Sequence, residues 1–176
     1  EEMMTKPMSF YAFEVLYWAG LRLGELLALT KKDIDFRRGI IRINKSYQRI
    51  DGEDVITEPK TPNSVRNIQM PEFLAEELKD YIESIYGIDD DDRIFPISKS
   101  YLHHEMERGC KAAGVKKIRI HDIRHSHVSL LIDMGFSAVA IANRVGHESI
   151  DITYRYAHLF PTRQTDMADK LNNARC

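Results

Sequence analysis

Cysteine is scarce in this sequence: Cys110 and Cys176 are the only two among 176 residues. Two thiols outside any metal-spacing motif exclude a disulfide-stapled scaffold and fit a reducing cytosol. Long apolar runs are missing as well. The longest of note, Val15 to Leu21, is far too short to span a bilayer, so no membrane association is expected. The opening Glu1-Glu2-Met3-Met4-Thr5-Lys6-Pro7 lacks the basic and then apolar regions of a signal peptide. It does not open like a complete gene product either, so a fragment of something longer is the expectation. Repeats, low-complexity tracts and internal linkers are absent, and residues 1–176 are expected to form one domain with a sizeable core. An excess of positive charge is also lacking. The net charge of −2 argues mildly against a nucleic-acid partner.

What is present qualifies that last point. Charge is segregated along the chain. Glu72 to Asp92 carries nine acids against Lys79 alone, whereas Lys99 to Arg124 carries seven bases against three acids. A polyanion responds to the local field more than to the total, although both runs also suit solvated faces. With 43% apolar and 30% charged residues, the composition is that of an ordinary globular protein.

Patterning predicts the elements. Phe10 to Leu29 is apolar nearly throughout, interrupted after Val15 only by Arg22 and Glu25, and predicts a buried helix. Arg37-Arg38-Gly39 is a turn. Ile40 to Tyr47 alternates as a half-buried strand, Asp51-Gly52 marks a hairpin, and Val55-Ile56 begins the return strand. Two prolines make Pro59 to Ser64 a loop before a short strand over Val65 to Met70. Helices are predicted over Pro71 to Tyr86, Ser98 to Ala113, His121 to Met134, Ser137 to Val145, Ser149 to Leu159 and Thr162 to Asn172, with Arg93 to Pro96 a short edge strand. The order is α+β: a mostly helical domain with a small antiparallel sheet near residues 40–70.

Several residues in this frame carry chemistry. Arg22 is an always-charged group in an apolar helix and needs a partner or a purpose. Glu25, three residues on, offers an ion pair. The flanking Gly20 and Gly24 offer the alternative, since they leave room for a phosphate or another backbone. His121 and Arg124 share a helical face in a first turn, where free N–H groups favour an anion. His121, His125 and His127 raise a zinc reading, but supporting ligands are lacking and His104-Glu105 has no second His, so no metal is expected. His147 follows a glycine helix stop. Tyr154 and Tyr156 stand two apart, so only one of them can face a given site.

Taken together, these segments resemble the tyrosine recombinase family, in appearance closest to integrases of phages and conjugative transposons. Gly20-Leu21-Arg22-Leu23-Gly24-Glu25-Leu26-Leu27-Ala28-Leu29 is similar to its first arginine box, and Lys-Thr-x-x-Ser-x-Arg at Lys60 to Arg66 to its lysine hairpin. His121-Asp122-Ile123-Arg124-His125 resembles its His-x-x-Arg box. Val145-Gly146-His147 followed by Tyr156-Ala157-His158 resembles its final histidine and nucleophile box. The resemblance implies the catalytic fold of that family without its amino-terminal core-binding and arm-binding domains. It implies site-specific DNA strand cleavage and rejoining with no cofactor and no metal. Tyr156 would be the nucleophile, Arg22 and Arg124 the phosphate clamp, His121 and His147 further hydrogen-bond donors, Lys60 the acid for the leaving 5′-oxygen, and Glu25 the support for Arg22. Double-stranded DNA, a homotetramer on DNA, a monomer for the isolated piece, and DNA-bending or excision accessory proteins are the implied partners, in the cytoplasm and at the nucleoid of a bacterial or phage-infected cell. A type IB topoisomerase shares the residue logic, but the short spacing from His147 to Tyr156 favours a recombinase. A silent DNA-binding module is disfavoured because every member of the set is intact.

Overall fold

The computed structural model describes residues 7–59 and 64–147, together with 149, 153, 156, 168 and 171. It divides the expected helix over Phe10–Leu29 into two, α1 (Pro7–Ala19) and α2 (Leu23–Ala28). Gly20 is the reason. Its φ of +65° is a left-handed conformation that ends α1, and the chain turns before resuming at Leu23. The burial expected of this segment holds: Val15, Leu16, Leu26 and Leu27 are all buried, each such side chain contributing about 1.5–3 kcal/mol.

After a 3-10 turn (Lys31–Asp33) come β1 (Ile34–Asp35), β2 (Ile40–Ile43), β3 (Ser46–Ile50), β4 (Glu53–Thr57) and β5 (Arg66–Gln69). The strand expected over Ile40–Tyr47 is therefore two strands, and they belong to different sheets. β2 lies between β1 and β5 in an antiparallel sheet, with Ile41 opposite Ile68, while β3 pairs with β4. Lys45, at the break, turns inward to Asp33 (2.6 Å) and the Thr30 hydroxyl (2.9 Å). The alternation of Ile41, Ile43 and Tyr47 runs through this break in phase, so periodicity alone gives no sign of it. Asp51 and Gly52 form the hairpin tip with φ values of 51° and 88°, the left-handed pair that such a two-residue turn requires.

Helices α3 (Glu72–Glu83), α4 (Lys99–Ala113), α5 (Ile120–Asp133) and α6 (Ala138–Val145) complete the described elements. The expected caps are present: the hydroxyls of Ser98 and Ser137 accept N–H bonds from Tyr101 and Ala140, and Gly114 and Gly146 end their helices at φ +66°. The predicted edge strand Arg93–Pro96 reduces to a single bridge from Arg93 to Thr30, with the Ile94 N–H on the Leu29 carbonyl at 2.9 Å. The helices expected over Ser149–Leu159 and Thr162–Asn172 lie largely outside the described residues. The architecture is α+β, with a main core on α1, α2 and the three-stranded sheet and a second cluster of Val128, Ile132, Ile141 and Val145 between α5 and α6.

Candidate functional site

The break after α1 sets Arg22 at the mouth of α2. Its backbone N–H donates to Glu25 Oε2 and its Nη1 to Glu25 Oε1, both at 2.8 Å, and its Nη2 donates to the Gly146 carbonyl at 2.9 Å. The side chain stays 36% exposed. The two readings of Arg22 are therefore compatible: it pairs with Glu25 and still faces solvent. The glycines on either side make room for protein. A Cβ on Gly20 would come within 2.4 Å of the His127 ring, and one on Gly24 would sit 3.0 Å from the Tyr47 carbonyl and 2.5 Å from the Ser46 hydroxyl.

Glu25 is buried and takes a second cation. Arg66, from β5, donates Nη1 to Oε1 and Nη2 to Oε2, each at 2.9 Å, in the planar two-bond geometry that suits guanidinium and carboxylate. Burial alone would push the carboxyl upward, but the hydrogen bonds and charge of Arg66, joined by Arg22, hold it below the usual carboxylate range. Arg66 also donates Nε to the Arg144 carbonyl (2.9 Å) and Nη1 to the Ser64 carbonyl (3.2 Å). In the sequence Arg66 stands only as the last residue of the Lys60 to Arg66 segment, with no role of its own. An acid inside an apolar helix signals that a cation must come from elsewhere, but not from which residue.

His121 and Arg124 share α5 yet differ in setting. Arg124 is 3% exposed, its Nη1 donating to the Gly20 carbonyl at 2.7 Å and its Nη2 to the Val145 carbonyl. Burial, with the charge of Arg22 nearby, pulls its pKa down to about 9, so it remains a cation at neutral pH. His121 is exposed, and partial burial followed by the charges of His125, Arg124 and Arg119 lowers its pKa. The helix N-terminus is not the open anion site expected from its position. Asp122 in the first turn accepts the Arg119 N–H at 2.9 Å and its guanidinium at 2.8 Å, and Arg119 holds this carboxyl down to about 2. His127 leaves the other histidines altogether: it is buried against Gly20 and accepts Nε of Arg144 at 3.2 Å.

Arg22 and Arg124 thus converge on Val145 and Gly146, and His147 comes next. The Nδ1 of His147 is hydrogen-bonded to the Thr153 hydroxyl at 2.8 Å, and its backbone N–H donates to Ala142 at 3.0 Å. Burial, then the charges of Arg124, Arg22 and Arg66, depress its pKa to about 4, so it is neutral at pH 7. Tyr156 is half-buried on the α5–α6 cluster, near enough to Arg124 for its phenol to act on that charge, and its hydroxyl meets His125 Nδ1. Of the six expected site residues, Arg22, Arg124, His147 and Tyr156 come together, His121 borders them one helical turn before His125, and Lys60 lies outside the described residues. A cavity of about 230 Å³ beside Arg22 is rimmed by Pro59 and Ser64, the described residues on either side of that gap.

This arrangement can hold an oxyanion between two guanidiniums and a neutral imidazole, with a phenol alongside. Comparison with known proteins agrees in kind. The model of the phage integrase family matches residues 2–163. The chain is 39% identical to the ICEBs1 integrase of Bacillus subtilis over 175 residues, covering 92% of this chain and 48% of that protein. It is 32% identical to the integrase of Staphylococcus phage L54a, covering 91% and 50%. The chain thus spans about half the length of the curated relatives it matches. Among solved structures, the Tn1549 transposon integrase in complex with circular intermediate DNA superposes with a TM-score of 0.77 at 24% identity, covering 95% of this chain and 59% of that one. The catalytic domain of bacteriophage HP1 integrase gives 0.62 at 19%, covering 92% and 80%.

Proposed function

The chain belongs to the phage integrase family, and on that premise we propose that it carries out site-specific recombination of a mobile element, cutting and rejoining double-stranded DNA through a covalent 3′-phosphotyrosyl intermediate on Tyr156. One observation carries this reading: Arg22 and Arg124 converge on the Val145–Gly146 turn, with a neutral His147 next in the chain and the Tyr156 phenol close by.

Each role follows from the chemistry of the group. Arg22 is anchored on one side by Glu25 and Gly146, and the rest of its guanidinium faces solvent, where it binds a non-bridging phosphate oxygen. Arg124 keeps its charge at neutral pH and acts from a buried position, where an electrostatic contact is worth more than in water. With Nδ1 on Thr153, His147 has Nε2 left for the phosphate, and as a neutral group it contributes a hydrogen bond rather than a charge. His121 supplies a further hydrogen bond from the rim. Lys60 protonates the departing 5′-oxygen. Glu25, gripped by Arg66, fixes the angle at which Arg22 points. The scheme calls on neither a metal nor a nucleotide. On DNA the active assembly is a homotetramer, the isolated chain is a monomer, and DNA-bending or excision proteins set the direction of reaction in the cytoplasm.

The test is covalent capture. A duplex carrying a 5′-bridging phosphorothiolate is incubated with the chain in EDTA, and a DNA-linked band is sought on a denaturing gel. The expected adduct is absent from Tyr156→Phe and kept in Tyr154→Phe. An adduct formed by Tyr156→Phe removes the nucleophile assignment.

A further inference from the structure

The phenol of Tyr156 meets an imidazole that none of these roles uses. Its hydroxyl is hydrogen-bonded to Nδ1 of His125, with ring centroids 5.8 Å apart and planes inclined at 48°. His125 follows Arg124 directly on α5 and stands one turn beyond His121, whose ring lies edge-on to it at 4.7 Å. This turn of helix is well fixed. Arg124 is tied to the Gly20 and Val145 carbonyls, and the Ser129 hydroxyl donates to the His125 carbonyl at 3.1 Å. The backbone that sets the buried arginine therefore also sets the position of His125 on the helix.

The neighbouring imidazoles have other engagements. His127 is turned to Arg144 on the far side of α5, and His147 uses Nδ1 for Thr153. Burial weakens both as bases by holding them down to about 4. His121 is at the rim. A phenol with an ordinary pKa near ~10 needs an acceptor within hydrogen-bond reach as it attacks, and among the described residues His125 is the imidazole in contact with it.

We propose that His125 is the proton acceptor for Tyr156 in strand cleavage, a role that rests on the transesterase reading above. In the step, Tyr156 Oη attacks the phosphorus, and the new P–Oη bond forms as the P–O5′ bond breaks. The phenolic proton passes to His125 Nδ1. The electron pair of the broken bond leaves on O5′, which takes a proton from Lys60. On religation the 5′-hydroxyl attacks, its proton returns to Lys60, and His125 hands its proton back to the phenol oxygen. The transfer requires the tautomer of His125 that carries its proton on Nε2.

Two measurements test this on the 176-residue chain. The first needs no DNA: nitrogen-15 spectra of labelled histidines should show Nδ1 of His125 unprotonated and shifted between the native chain and Tyr156→Phe. An unchanged resonance overturns the contact and the proposal with it. The second is single-turnover cleavage of a sequence-randomised duplex pool carrying 5′-bridging phosphorothiolates, whose thiolate leaves without an acid. His125→Ala and His125→Gln should each slow adduct formation by about 10²-fold or more with native thermal unfolding, as expected on losing a general base. Native rates in both His125 variants overturn the proposal and leave Tyr156 as nucleophile. No adduct from the native chain overturns the transesterase reading itself.

Discussion

Replacing Arg66 by Leu should cost this domain more stability than any surface change. The substitution removes four hydrogen bonds at once: two onto the Glu25 carboxylate, one onto Ser64 and one onto Arg144. Glu25 and Arg66 are 5% and 6% exposed, so water cannot take over. Arg22 is left as the partner of Glu25, and its side chain is 36% exposed. Stranding one member of a buried pair costs about 3–5 kcal/mol. For a domain of this size each kcal/mol moves the melting temperature by about 2–4 °C, so a fall of roughly 6–20 °C is expected. Thermal unfolding followed by circular dichroism at pH 7 reads it. The pH dependence supplies a second sign. In the native chain the Glu25 carboxyl is held below its ordinary value of 4.5, so its contribution is present above that value and lost as pH falls through the folded one. Without Arg66 burial dominates, the carboxyl rises, and protonation relieves the stranded charge. The gap between variant and native chain should therefore narrow as pH falls toward about 4. Replacing both partners, Arg66→Leu with Glu25→Leu, should recover most of the loss, because an apolar pair of similar volume carries no stranded charge. An Arg66→Leu chain melting within about 2 °C of native at pH 7 would refute the reasoning.

Other expectations follow from the same geometry. Gly20→Ala should destabilise by at least about 1–2 kcal/mol from the left-handed backbone alone, and by more because its Cβ would enter the His127 ring; the urea midpoint measures this, and an unchanged midpoint contradicts it. Because burial holds His127 down to about 4, against 6.5 for the free group, its folded-state pKa is depressed and the unfolded chain binds more protons between those values. Stability should therefore decline as pH falls from about 6.5 to 4, and a His127→Gln chain should show a shallower decline in a pH series of melts. Ser137→Ala, which deletes the cap on the Ala140 N–H, should cost about 1 kcal/mol. Its thermal melt should shift far less than that of Arg66→Leu.

Much of this protein is local and so can be read along the chain. Ser98, Gly114, Ser137 and Gly146 bound their helices because capping depends on a residue's own backbone and its near neighbours. The Asp51-Gly52 turn is of the same kind. The candidate site was legible as a set of spaced motifs, and four of its members meet in space. Where several structures satisfy one local pattern, the chain leaves the choice open. Gly20 was legible as a source of space but not as the end of α1, because a glycine within an apolar helical pattern fits a continuous helix as well as a broken one. The split between β2 and β3 is silent in the alternation of Ile41, Ile43 and Tyr47.

Legible along the chain are the α+β class, the caps at Ser98, Gly114, Ser137 and Gly146, the Asp51-Gly52 turn and the identity of the charged residues that require partners. Which residues those partners are depends on how the distant segments pack. Glu25 is gripped by Arg66 from 41 residues away, Arg124 is held by carbonyls of Gly20 and Val145, and Tyr156 meets His125. The physical reason is that burial makes each of these groups demand a hydrogen bond, while long-range packing alone selects which donor or acceptor comes within reach.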